Sequence, residues 1–112
     1  MRVAVLLCIV MGLSAGRAAA QDKALIDKGI KVYGDQKCGV CHSIDGKGNA
    51  KGPLDSVGLK LSADDAREWI VHPAEMTKKT KAERKPLMRA YPNLAKDDLD
   101  AVVAYMLSLK KK

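Results

Sequence analysis

The sequence predicts an all-α domain, and three features of its 112 residues carry that expectation. Three stretches, opening near Asp22, Ser62 and Lys96, repeat apolar residues at helical spacing. No stretch shows the period-two alternation of a half-buried strand, and no internal repeat is present. The composition adds a condition: with no Phe, one Trp and three Tyr, so small a chain needs a staple such as a disulfide, a metal or a large cofactor.

Residues 1–20 read as a secretory signal peptide. Arg2 gives a charged start, "VAVLLCIVMGL" is a short apolar run, and "AAAQ" supplies small residues before a cut between Ala20 and Gln21. A retained N-terminal anchor is the alternative. Cys8 follows the bulky Leu7 and is discarded with the leader. The mature domain is then 21–112, exported to the periplasm and without stable membrane insertion. Removing Arg2 and Arg17 and no acid lowers the formal net charge from +7 to +5. That balance suits acidic partners. It does not indicate nucleic acid, because the lysines are interspersed with acids and aromatic residues for stacking on bases are scarce.

The first helix is expected from Asp22, whose side chain can cap it, with Leu25, Ile26, Gly29, Val32 and Tyr33 on one face. Residues 43–61 hold Gly46, Gly48, Gly52, Pro53 and Gly58 without sustained period, and read as a loop folded over something. Ser62 and the acid three residues later form a capping box for a helix carrying Trp69 and Ile70, stopped by Pro73. The basic segment "AEMTKKTKAERKP" reads as a solvated loop or short exposed helix. The closing helix has acids at its start, lysines at its end, and Leu99, Val102, Val103, Met106 and Leu109 on one face. Gly29 lets that helix approach the first one closely, with Tyr33 and Tyr105 nearby.

Between the first helix and the loop stands "CGVCH", Cys38 to His42. A zinc site lacks a second ligand cluster, a thioredoxin-like pair lacks its βαβ context, and a disulfide across so short a loop adds little. The remaining reading is covalent haem attachment, for which C-x-x-C-H is the signature. Two thiols one helical turn apart each add to one porphyrin vinyl group, and the adjacent imidazole becomes the proximal iron ligand. One large flat apolar ring also answers the shortage of aromatic residues.

With "GIKVY", "CGVCH", "GPL", "WIVHP" and "VVAYMLSL" in this order, the mature chain resembles a small bacterial class I cytochrome c over nearly its whole length. The resemblance implies one haem c, attached through Cys38 and Cys41 and wrapped by helices, the first and last crossing near Gly29 and Tyr105. It implies His42 and a methionine as iron ligands. Met88, a short loop before the last helix, fits that position; Met76 and His72 are alternatives, an open position is another, and Met106 falls on a core face. Arg89 stands where the family often has proline, and Ala95 where it often has a capping serine. Pro53 resembles the proline whose carbonyl accepts the proton of the ligating histidine. Trp69 resembles a tryptophan bonded to a haem propionate, or else covers the haem.

The function so implied is a soluble carrier of single electrons, not an enzyme, serving redox partners with acidic patches. Lys37, Lys47, Lys51, Lys78, Lys79, Lys81, Arg84 and Lys85 would ring the haem edge. The alternatives are a haem subunit fixed to a larger oxidoreductase, and a five-coordinate sensor or peroxidase if Met88 does not bind, with His72 or Arg89 as its polar group.

Overall fold

The computed structural model describes the backbone of residues 14–112, and side-chain environments from Asp22 onward. The expected signal peptide therefore falls largely outside the described residues. Four helices account for most of the rest: α1 (Ser14–Asp35), α2 (Ala63–Val71), α3 (Pro73–Thr80) and α4 (Lys96–Ser108).

Helix α1 runs through Asp22 instead of starting there. Alanine has the highest helix propensity, and "AAAQ" continues the helix upstream. Gly29 and Val32 are buried on its inner face, Ile26 and Tyr33 are half-buried, and Leu25 is exposed. Its outer face carries the pairs Lys23–Asp27 at 2.8 Å and Lys31–Asp35 at 2.9 Å.

Helix α4 crosses α1 at Gly29. A Cβ there would lie 2.8 Å from the carbonyl carbon of Ala101 and 2.7 Å from Cβ of Tyr105. Only a residue without a side chain permits this approach. Beside the crossing, the rings of Tyr33 and Tyr105 meet edge to face at 5.8 Å, and Lys28 pairs with Asp98 at 3.5 Å. Ala101, Val102, Val103 and Met106 are buried along α4. Asp97 and Asp98 occupy its first turn, where their charge suits the dipole although Ala95 offers no cap. The helix ends at Ser108, so Lys110 to Lys112 lie beyond its last turn.

Helix α2 begins with the expected capping box: Ser62 Oγ accepts from Asp65 N–H, and the Asp65 carboxylate accepts from Ser62 N–H. His72 both ends α2 and precedes α3, whose first residue is Pro73. A proline cannot continue α2 but suits the first position of a new helix, because its missing N–H has no helical partner there. The basic segment is thus a helix with an anchored face, since Pro73 and Met76 are buried.

The loop after the cysteine motif contains a minimal hairpin, β1 (Ser43–Ile44) against β2 (Lys47–Gly48). Asp45 and Gly46 turn it at φ 51° and 78°. Asp-Gly is the strongest two-residue hairpin signal, but strands of two residues are too short to show alternation. The core gathers Val32, Ala66, Ile70, Val102 and Val103, with Tyr33, Met88, Tyr91 and Leu94 packed around it.

Candidate functional site

The cysteine motif is presented by a sharp reversal at the end of α1. Lys37 takes a left-handed conformation, φ 58° and ψ 37°, which costs a non-glycine residue roughly 1–2 kcal/mol. A single 3-10 turn follows at Cys38–Val40, and the N–H groups of Cys41 and His42 both donate to the Cys38 carbonyl, at 3.1 and 3.0 Å. This compact turn brings Cys38, Cys41 and His42 to the wall of one cleft of about 290 Å³. The lining is almost wholly apolar and includes Tyr33, Trp69, Met88 and Met106. Both thiols are free, and burial pushes that of Cys38 above its ordinary pKa.

His42 is oriented by the backbone. Its Nδ1 lies 3.1 Å from the carbonyl oxygen of Gly52, so Nδ1–H donates and Nε2 keeps its lone pair. Burial holds the imidazole pKa below its ordinary value; the bond to Gly52 opposes this, and the Arg84 guanidinium adds to it. The neutral form, which binds metals, is favoured.

The acceptor expected at this point was the carbonyl of Pro53; it is that of Gly52. Ser43 pairs in parallel with Pro53, with Ser43 N–H donating to Gly52 O at 3.0 Å and Leu54 N–H to Ser43 O at 2.9 Å. Successive carbonyls of extended chain point to opposite sides, so Gly52 O faces the motif and Pro53 O does not. Pro53 is exposed and lies off the cleft, although its nitrogen completes the peptide whose oxygen accepts the bond.

The other residues singled out in the sequence divide clearly. Trp69 and Met88 are half-buried and line the cleft. Met106 is buried on α4 and forms part of the same lining. Met76 is buried on α3 away from it. His72 is exposed, with Nδ1 3.0 Å from Glu68 Oε2, and it also stands off the cleft. The cations expected around the haem edge are exposed, but Arg84 turns inward: its Nη2 donates to the Cys41 carbonyl at 2.6 Å.

Two anchors of the Met88 segment carry no motif or periodicity that sequence reading could find. Arg84 is one. Tyr91 is the other: its N–H donates to Ile70 O at 2.9 Å, its hydroxyl to Gln36 O at 3.3 Å, and Arg89 stacks over its ring at 5.0 Å. The arginine that replaces a common proline thus supports the loop through Tyr91.

A helical chain that sets two thiols and a metal-ready imidazole on one apolar cleft has the build of a protein with covalently bound haem. The cytochrome c family model matches residues 26–110, and the chain belongs to that family. Its haem c is attached through the C-x-x-C-H motif, here Cys38, Cys41 and His42. The chain is 28% identical over 110 residues to cytochrome c oxidase subunit 2 of Alkalihalophilus pseudofirmus, a match that covers 90% of this chain and 30% of that protein. The chain therefore spans less than a third of that relative's length. No solved structure matches it significantly. No helix among the described residues is long and apolar enough to cross a membrane.

The residues present fit the haem. The free thiols, the open Nε2 of His42 and the apolar lining share one cleft. In its wall the Tyr33 hydroxyl is buried without a hydrogen-bond partner, an arrangement that calls for a further group in the cleft.

Proposed function

We propose that this cytochrome c domain is a diffusing periplasmic carrier of single electrons, its iron held by His42 and Met88. The observation that carries the proposal is that Met88 lines the cleft that His42 and both cysteines line, while Met76 and His72 stand off it, and Met106, on the same lining, is buried on the core face of α4. When bound, the haem supplies one-electron exchange, and a methionine thioether beside a histidine raises its potential.

The protein's own part is to hold and shield. Gly52 O fixes the His42 ring, and Met88 would be the second residue to hold the iron, leaving it no place for substrate. Apolar walls exclude water. Trp69, on the same cleft, serves the haem as a propionate donor or a cover. The exposed lysines at 37, 47, 51, 78, 79, 81 and 85 steer acidic partners into brief encounters that weaken with salt. The charged start, apolar run and small residues of 1–20 support export and cleavage, which the N-terminal sequence of the secreted protein checks.

The ferrous protein mixed with carbon monoxide tests the closed iron. A carrier with both axial positions filled leaves the spectrum unchanged at first contact. Immediate binding would mean an open iron, and hence a sensor or peroxidase.

A second reading, a haem subunit fixed to a larger oxidoreductase, is favoured by the similarity to an oxidase subunit. Copurification of a stable complex from native membranes would support it; recovery as a free small protein would support the carrier.

A further inference from the structure

Cys41 closes the 3-10 turn of the motif with its N–H, and among the described residues its carbonyl accepts no backbone hydrogen bond. A carbonyl at the end of a helical turn needs a partner from elsewhere. Here the partner comes from 43 residues away: Arg84 Nη2 donates to it at 2.6 Å. The site is shaped for that guanidinium. A Cβ on Gly52 would strike both Arg84 Nη1 and the Cys41 carbonyl oxygen, and would lie 3.0 Å from Arg84 Cζ. The glycine whose carbonyl orients His42 therefore also leaves the space in which Arg84 reaches the motif.

Arg84 belongs to the irregular segment between α3 and α4, four residues before Met88. Three residues after Met88, Tyr91 ties the segment to Ile70 and Gln36. Met88 thus sits between two fastenings, one on the α1–α2 core and one on the motif itself. The cations beside Arg84, Lys81 and Lys85, are exposed and make no such bond among the described residues.

We propose that Arg84 is a positioning residue that latches the Met88 segment to the haem-binding motif and so limits how readily an outside ligand reaches the iron. The latch rests on the reading of Met88 as an iron ligand. Losing it removes the segment's fastening to the motif and leaves Tyr91 and core packing to hold it, so Met88 swings away more often. The bond is exposed, so its loss is expected at the low end for a hydrogen bond to a charged group, roughly a tenfold change in opening, or about 1.4 kcal/mol.

The test is the rate at which imidazole, an uncharged ligand, binds the ferric haem-loaded protein, followed by the loss of the weak red absorption band of methionine-bound iron. Arg84→Ala should bind imidazole roughly ten times faster than the parent. Arg84→Lys, which keeps the charge and one donor but not the planar fork, should fall between the two. Lys85→Ala should match the parent. Equal rates for Arg84→Ala and the parent, with the red band present in both, would overturn the latch and leave Met88 ligation intact. An equal acceleration by Lys85→Ala would also overturn it, by assigning the effect to general charge. A parent without the red band would overturn the Met88 reading and the latch with it.

Discussion

His42 Nδ1 and the Gly52 carbonyl oxygen lie 3.1 Å apart, which links the imidazole of the C-x-x-C-H motif to a loop ten residues on. The same glycine admits Arg84 to the motif. Gly52→Ala should therefore disturb two contacts at once. The Cys41 carbonyl it would strike is backbone and cannot swing aside, so the haem-loaded protein should lose about 1–3 kcal/mol in guanidinium unfolding. An unchanged midpoint would show that the loop yields more easily than its hydrogen bonds imply.

The α1–α4 crossing makes a paired prediction. Gly29→Ala puts a methyl group against the Ala101 backbone and should destabilise by about 1–3 kcal/mol. Gly34→Ala, in the same helix with nothing within 4 Å of the added carbon, should be neutral or gain about 0.5 kcal/mol. Thermal melts of the two variants check the contrast; similar midpoints would contradict the close approach.

Tyr33 should give the protein an alkaline weakness. Burial, with smaller contributions from Cys38, Tyr105 and Asp55, pushes its phenol from 10.0 up to about 12. A folded-state value above the unfolded one means the folded form holds its proton more tightly. The stability is complete below pH 10 and is lost as pH rises through 12. Tyr33→Phe removes the ionisable phenol, so it should flatten the alkaline decline. Urea midpoints between neutrality and pH 12 provide the comparison, and parallel curves would refute it.

Covalent attachment is checked by removing it. With Cys38 and Cys41 both changed to Ser, no haem should remain with the chain on a denaturing gel stained for haem, whereas each single variant should retain one bond. Haem retained by the double variant would require another attachment residue.

Local chemistry made much of this molecule readable in advance. The Ser62–Asp65 capping box lies within four consecutive residues, the α4 face repeats over thirteen, and C-x-x-C-H is contiguous. Gly29 stood out because a glycine on an apolar helical face implies a close neighbour. What depended on tertiary register was harder. The proton acceptor for His42 was displaced by one residue, from Pro53 to Gly52, because the Ser43–Pro53 bridge decides which carbonyl turns inward. Arg84 read as one more surface cation, since nothing local reveals a contact 43 residues away. The Asp45-Gly46 turn was a local signal overlooked for want of longer strands beside it.

The oxidised optical spectrum of the haem-loaded protein, measured beside Met88→Ala and Met76→Ala, tests the central claim most directly. Ligation by His42 and Met88 predicts a weak red band in the parent that persists in Met76→Ala and disappears in Met88→Ala. A band that survives in Met88→Ala, or a parent with a high-spin spectrum, would contradict it.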